Sequence, residues 1–193
     1  MKLRCARVSV ASHFNLPPPA FIRHRFRMGM RRDARERAVQ FLFQCDMNVP
    51  EKLDEALDHF WDSQRAAALA VEKGGATYGQ VIQLPPPTAA ETALRVFAEP
   101  LIRGTLEHRV AIDAIIVKHA QNWELHRMAV VDRNVLRLAI YEMLHRDDIP
   151  PIVSINEAVD IVKKFSTEDS GKFVNGILDK VKDEMPRSPR TFK

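Results

Sequence analysis

The sequence of 193 residues has few cysteines, few glycines and no long apolar run. Its two cysteines, Cys5 and Cys45, lie on very different segments, so they form no disulfide framework and fit a reducing compartment. No apolar run approaches the roughly 18 residues that are needed to cross a bilayer. We therefore expect a soluble protein of the cytoplasm.

The residue patterns of catalytic and metal sites are missing as well. The seven histidines have no spacing typical of metal ligands, and no serine lies in a nucleophile elbow. Two pairs of carboxylates are adjacent, Asp147 with Asp148 and Glu168 with Asp169. Because neighbours on a helix point about 100° apart, these pairs suit turns and helix caps better than acid–base catalysis. We predict that the protein is not an enzyme and that it has no cofactor and no bound metal.

Helix-forming residues and unevenly distributed charge are what the sequence does contain. Alanine, leucine, arginine and glutamate dominate, which favours an all-α fold. The first 37 residues hold ten lysines and arginines against Asp33 and Glu36, a net charge of +8, and the remaining 156 residues carry −4, for a total of +4. A basic arm on a mildly acidic body is typical of a protein with a polyanionic partner, and nucleic acid is the leading candidate.

Residues 1–29 differ from the rest of the chain. Three prolines at residues 17–19 cannot continue a helix, and no acidic residue precedes Asp33. Three interpretations stay open: a disordered basic extension, a translation start assigned too far upstream of Met28 or Met30, and a functional or targeting tail. We predict that this segment lies outside the folded part of the chain.

Helical periodicity begins at Arg31, and this first helix has two informative faces. Its core-facing stripe comprises Ala34, Ala38, Phe41, Leu42 and Cys45. A second face, at about 100° per residue, comprises Arg32, Arg35, Val39 and Phe43. From the residues alone, this second face is equally a contact surface for RNA or protein and a packing face with a solvated end.

A loop at residues 72–87 separates the first helices from a third. Thr88 and Glu91 predict a capping box at the start of that helix, and Pro100 either kinks the helix or divides it into two. The next helix is predicted at about residues 109–121.

The last third of the chain is predicted to form three helices. Residues 131–145 are apolar nearly all round, which predicts a central helix that others surround. Ser154 with Glu157 predicts the cap of the following helix, and residues 166–169 predict the cap of the last one. Gly176 inside the last helix predicts close helix packing, since glycine there costs about 1 kcal/mol relative to alanine.

Five segments carry a resemblance to a known family. They are residues 31–38 (Arg-Arg-Asp-Ala-Arg-Glu-Arg-Ala), 135–142 (Val-Leu-Arg-Leu-Ala-Ile-Tyr-Glu), 148–150 (Asp-Ile-Pro), 155–158 (Ile-Asn-Glu-Ala) and 168–180 (Glu-Asp-Ser-Gly-Lys-Phe-Val-Asn-Gly-Ile-Leu-Asp-Lys). Through these segments the sequence resembles the NusB family of bacterial transcription antitermination factors over residues 30–182. The last segment is the most specific.

The resemblance implies an all-α fold of about seven helices in two small subdomains, at about residues 30–108 and 109–182, followed by a flexible tail at 183–193. Family members pair with the ribosomal protein NusE. The pair binds the single-stranded boxA element of nascent RNA and helps the RNA polymerase antitermination complex to read through terminators, chiefly in ribosomal RNA operons.

The arginine-rich first helix is the family's RNA-binding feature. The resemblance places Arg31, Arg32 and Arg35 in that role, with Asp33 where many relatives have a third basic residue. Phe43 stands where the family has an aromatic residue at a contact surface for RNA or the partner. These residue types fit the chemistry, because single-stranded RNA is bound by cations on phosphates and by stacking of bases on aromatic rings.

A second RNA-facing region of the family corresponds to Asp169, Lys172 and Phe173. Asp132 occupies an acidic position that the family links to the NusE interface. From the residues alone, Phe173 also fits the buried stripe of the last helix, and Asp169 also fits a helix cap.

Two other functions stay open. Some family members self-associate, so the chain could be a homodimeric interaction or RNA-binding module without antitermination activity. Similar helical RNA-binding domains also occur fused to ribosomal RNA cytosine methyltransferases. Such an enzyme would need a further α/β domain of about 200 residues, which no segment of this sequence supplies.

Overall fold

The computed structural model of the chain describes residues 19–72, 84–120 and 123–185, without the side chains of residues 19–28, 71–72 and 168. This part of the chain contains seven α-helices, one short 3-10 helix at Leu125–Arg127 and no strand. The α-helices are α1 (Pro19–Met47), α2 (Leu53–Glu72), α3 (Ala89–Glu107), α4 (Arg109–His119), α5 (Val130–His145), α6 (Pro151–Phe165) and α7 (Glu168–Glu184). The all-α prediction is therefore confirmed. None of the helices in the described ranges has the length and apolar character to span a membrane.

Helix α5 is the centre of the fold, as its apolar sequence predicts. It packs against α1, α3, α4, α6 and α7. Its fully buried side chains include Leu136, Ile140 and Met143. A single cluster of buried apolar residues runs through all seven helices, so the helices of both predicted subdomains contribute to one core.

The first helix is longer than its periodicity predicts. Helix α1 begins at Pro19 instead of Arg31. Proline is well tolerated in a first helical turn, where its missing N–H would have no intrahelical acceptor. Residues 1–18, 73–83 and 186–193 lie outside the described residues, so the predictions for the start of the extension, for most of the 72–87 loop and for the end of the tail are not addressed.

Two of the three predicted helix caps are confirmed. Thr88 and Glu91 form a capping box, and α3 continues through Pro100 as one helix. Thr167 caps α7 by accepting a hydrogen bond from the backbone N–H of Ser170 at 3.3 Å. The cap predicted at Ser154 is wrong, because α6 already begins at Pro151 and Ser154 is buried within the helix.

The glycine prediction is also wrong at Gly176. No atom outside its own helix lies within 4 Å of the position that a Cβ would occupy there. The close approach occurs at Gly104 of α3, where a Cβ would overlap the ring of Tyr141 on α5. The absent side chain at Gly104 therefore allows α3 to pack closely on α5.

Candidate nucleic-acid interface

The predicted site residues form two groups. We call Arg31, Arg32 and Arg35 of α1 the arginine segment, and Asp169, Lys172 and Phe173 of α7 the α7 surface. The arginine segment lies beside the carboxyl-terminal end of α5, since Arg35 pairs with Glu142. The α7 surface lies beside the amino-terminal end of α5, where Asp132 lines a cavity with Asp169 and Phe173. Ten residues of helix, or about 15 Å, separate the two levels along α5.

Arg35 is buried inside the fold and is only 4% exposed. Its Nε donates to both carboxylate oxygens of Glu142, at 2.9 and 3.1 Å, and its Nη1 donates to the carbonyl of Arg31 at 3.3 Å. Burial raises the pKa of the Glu142 carboxyl, and the charge of Arg35 opposes that shift. Arg35 therefore neutralises a buried carboxylate and has little surface for a phosphate. Its RNA contact stays a prediction that this geometry does not favour.

Arg32 is partly exposed and is held by two carboxylates of α6. Its Nε and Nη2 donate to the two oxygens of Glu157 at 3.0 and 2.9 Å, and Nη2 lies 2.7 Å from a carboxylate oxygen of Asp160. Side-chain exposure of 43% leaves part of the guanidinium open to solvent. A phosphate could reach Arg32 but would compete with both carboxylates for it.

Arg31 is the most accessible cation of the arginine segment. It is exposed, and its guanidinium carbon lies over the ring of Phe97 at 5.4 Å from the centroid. The same ring has Arg35 at 5.3 Å and Arg146 at 5.5 Å. A hydrogen bond from Arg146 lowers the pKa of Asp148, and the charge of Arg31 adds to that effect. Arg31 is therefore exposed to an anion that approaches from solvent, with the carboxylate of Asp148 within electrostatic reach.

The second face of α1 is buried in its middle part and exposed at its carboxyl-terminal end. Val39 is buried like Arg35, whereas Phe43 is 38% exposed. Phe43 lies with exposed Met47 and Val49 around a cavity of about 430 Å³ at the end of α1. Cys45 also lines this cavity, and burial raises the pKa of its thiol to about 11, so the thiol stays protonated near neutral pH. Only the Phe43 end of this face offers an open apolar surface.

The α7 surface consists of exposed polar side chains beside an aromatic pair. Asp169 and Lys172 are exposed and lie 3.4 Å apart on the first turns of α7. Phe173 is half-buried, and its ring lies 5.8 Å from the ring of Trp123 at an angle of 56°. This surface can offer a cation, an acceptor and an aromatic face to the same ligand.

A cavity of about 230 Å³ opens between the α7 surface and the start of α5. Trp123, Met128 and Phe173 form its apolar wall, and Asp132 and Asp169 supply carboxylates. Asp132 is 5% exposed, and no donor within the described ranges reaches its buried Oδ1. Since a buried carboxylate oxygen without a partner is costly, the cavity suits a group that carries a hydrogen-bond donor.

A buried charge network holds the end of α1 against α4 and the start of α5. The carboxylate of Asp46 accepts hydrogen bonds from Arg109, Arg133, Asn134 and Arg137, at 2.7, 2.9, 3.3 and 3.1 Å. Burial opposes ionisation of Asp46, but the hydrogen bond from Arg133 and the surrounding guanidinium charges outweigh it and lower its pKa. The network ties α1 to α4 and α5 and so positions Phe43 relative to the start of α5.

Sequence reasoning missed three residues that the fold brings to these surfaces. Trp123 lies in a connection between helices, and Phe97 belongs by spacing to the core stripe of α3. Arg146 lies in the turn after α5. Neither spacing nor composition connects Phe97 with Arg31, or Trp123 with Phe173, because each pair meets only when distant helices pack.

No group of three or more histidine, cysteine, aspartate or glutamate side chains in the described part of the chain could hold a metal ion.

The comparisons with known proteins agree on one family. A family model for the NusB family matches residues 32–183. The transcription antitermination protein NusB of Anaeromyxobacter dehalogenans is 45% identical over 157 residues, which are 81% of this chain and 93% of that protein.

Solved structures agree with the sequence comparison. A NusB structure from T. maritima is 36% identical, with a TM-score of 0.59, over 80% of this chain and 91% of that chain. A structure of the antitermination factors NusB and NusE in complex with double-stranded RNA is 25% identical, with a TM-score of 0.61, over 82% of this chain and 99% of that chain. Because the family match covers most of the chain and the fold agrees, this chain belongs to the NusB family.

Proposed function

We propose that this chain is an RNA-binding transcription antitermination factor that acts together with a NusE protein. The observation that carries the proposal is the match over 99% of a NusB chain whose structure was solved with NusE and double-stranded RNA. The relatives at 39 to 45% identity are named transcription antitermination proteins. We further propose that the RNA carries a boxA-type element and that the complex promotes read-through, chiefly of ribosomal RNA operons.

The RNA contacts in this proposal come from both groups of site residues. Arg31 contacts a phosphate, since it is the exposed cation of the arginine segment. Phe173 provides a stacking face for an unpaired base, and Lys172 contacts a neighbouring phosphate. Asp169 accepts a hydrogen bond from a base edge. Arg32 is a weaker phosphate contact because Glu157 and Asp160 compete for it.

Arg35 has an indirect role in the same proposal. Its pairing with Glu142 holds the arginine segment on α5, and its Nη1 donates to the backbone carbonyl of Arg31. Arg35 therefore supports the position of Arg31 and is not itself the phosphate contact.

The partner surface in this proposal comprises Phe43 and Asp132. Phe43 is exposed beside other apolar side chains at the end of α1. Asp132 supplies a buried acceptor without a partner at the start of α5. The Asp46 network ties these two helix ends together, and Phe43 and Asp132 line separate cavities there.

A regulatory role and a cytoplasmic location complete the proposal. The names of the relatives describe an antitermination protein. We propose that the chain acts by binding alone and that it works where RNA is being transcribed.

A titration tests this function directly. The purified chain is added to a fluorescently labelled single-stranded RNA with a boxA element, with and without NusE, over a series of salt concentrations. We expect NusE to tighten binding and salt to weaken it, with a slope of about −0.7 in log K against log salt for each phosphate contact. Read-through of a terminator downstream of boxA, measured in transcription reactions, should increase with both proteins present.

The controls of this titration separate the alternatives. RNA with a scrambled boxA element should bind more weakly at every salt concentration. A chain that forms homodimers and binds neither NusE nor RNA would instead support the interaction module without antitermination activity. Removal of residues 1–28 tests whether the upstream arginines add phosphate contacts.

A further inference from the structure

The ring of Phe97 is surrounded by three guanidinium groups. The guanidinium carbons of Arg31, Arg35 and Arg146 lie 5.4, 5.3 and 5.5 Å from its centroid. The three arginines come from α1 and from the turn after α5, whereas Phe97 lies on α3. Guanidinium groups within about 6 Å of an aromatic face are attracted by the negative charge of the ring face. Phe97 therefore joins three separate parts of the chain.

The three arginines differ in what else they contact. Arg35 is buried and donates to both oxygens of Glu142. Arg146 donates from Nε and Nη2 to the two oxygens of Asp148, at 2.8 and 3.1 Å. Arg31 is exposed and rests on the ring. Of the three, Arg31 is the one that Phe97 can hold while its charge remains open to solvent.

A free arginine side chain samples many rotamers, and a phosphate contact must order it. A ring that already holds the guanidinium reduces that loss of conformational entropy. Since the ring face satisfies none of the five N–H donors of arginine, Arg31 can rest on Phe97 and still donate to a phosphate. An aromatic support and an anion contact are thus compatible on one side chain.

We propose that Phe97 is a positioning residue for RNA binding, and that it acts by holding the guanidinium of Arg31 for contact with an RNA phosphate. This inference rests on the proposed function, because it assumes that Arg31 meets RNA. Phe97 itself does not touch the RNA. Its effect on affinity therefore passes through Arg31.

A double-mutant cycle tests the proposal. Affinity for the labelled boxA RNA, with NusE present, is measured for the wild type, for Phe97→Met, for Arg31→Gln and for the double variant. Methionine fills a similar apolar volume without an aromatic face. We expect Phe97→Met to weaken binding about two- to fivefold, as an exposed cation–π contact would predict. In the Arg31→Gln background the same substitution should have no effect.

Three further measurements distinguish positioning from general destabilisation. Phe97→Tyr keeps an aromatic face and should therefore retain wild-type affinity. Arg31→Gln should reduce the slope of log K against log salt by about 0.7, and Phe97→Met should reduce it by less. Lys172→Gln, an exposed cation on α7, should add independently to the effect of Phe97→Met.

These measurements distinguish a failure of the inference about Phe97 from a failure of the proposed function. If the wild type does not bind the RNA, the proposed function fails and this inference fails with it. If Arg31→Gln weakens binding but Phe97→Met does not, this inference alone is wrong. It is equally wrong if Phe97→Met weakens binding by the same factor in the presence and absence of the Arg31 guanidinium. Thermal unfolding of each variant confirms that the folded protein is being compared.

Discussion

The arginine segment and the α7 surface are both predicted to bind RNA, but they differ in how much of their charge reaches solvent. In the arginine segment most of the charge is neutralised internally, since Arg35 pairs with Glu142 and Arg32 with Glu157 and Asp160. On the α7 surface, Asp169 and Lys172 pair with each other at 3.4 Å, but both side chains remain strongly exposed. A cluster of cations in a sequence therefore overstates the charge that reaches solvent.

The difference arises from where the carboxylates of neighbouring helices lie relative to the charged side chains. Helix α1 packs against both α3 and α5, so two of its faces are buried and its long arginine side chains reach the carboxylates of neighbouring helices. Helix α7 packs against α4, α5 and α6, and Asp169 and Lys172 lie on a side of α7 that these helices leave exposed. Charged side chains on its outer side remain in solvent.

Replacing Arg35 should have the largest effect, and the effect should be on stability. In Arg35→Met, the carboxylate of Glu142 remains buried without its partner, and we expect the free energy of unfolding to fall by about 3 to 5 kcal/mol. Urea denaturation measures this. The double variant Arg35→Met with Glu142→Leu should recover much of the loss, because neither charge of this buried pair remains. Unchanged stability with weaker RNA binding would instead make Arg35 a direct contact.

The Asp46 network should respond to pH. Because the pKa of Asp46 is lowered in the folded protein, its ionised form stabilises the fold at a pH above the ordinary aspartate value of about 4. This contribution is lost as the pH falls through the lowered pKa. We expect Asp46→Asn to cost about 2 kcal/mol at neutral pH and to flatten the loss of stability below pH 4. Urea denaturation of both proteins across this pH range measures the effect, and a steeper acid dependence in the variant would contradict it.

Replacing Phe173 should affect binding more than folding. Phe173→Leu keeps an apolar side chain but removes the stacking face, so RNA affinity should fall by about 1 kcal/mol. Phe165→Leu is the matched control, since Phe165 is an exposed phenylalanine near the end of α6. RNA titration of both variants measures the difference. Equal losses would mean that stacking at Phe173 is not specific.

Replacing Lys172 should give the smallest effect. Lys172→Gln removes one exposed cation, and we expect a loss of affinity below about 1 kcal/mol with a salt slope reduced by about 0.7. Lys182→Gln is the control, because Lys182 lies at the other end of α7 and pairs with Asp179 at 2.8 Å. An identical salt slope in the Lys172 variant and the wild type would remove Lys172 from the RNA contacts.

Local features of the fold were predictable because they depend on neighbouring residues. The capping box at Thr88 and the cap at Thr167 are short-range hydrogen bonds, and residues three apart in the sequence specify them. The all-round apolar sequence of α5 likewise predicts its central position. The cap at Ser154 was mispredicted because Pro151 also provides a good helix start, and three residues of context do not decide between two such signals.

The sequence by itself determined the all-α class, the central helix and the family, and it predicted the segments that carry the candidate site residues. Tertiary structure decided which of those side chains are available. Arg31 and Arg35 differ by one helical turn, yet one is exposed on the ring of Phe97 and the other is buried against Glu142. Periodicity gives the angle of a residue around its own helix. Which neighbouring helix covers that side of the helix depends on contacts between residues far apart in the chain. These contacts cannot be inferred from sequence spacing.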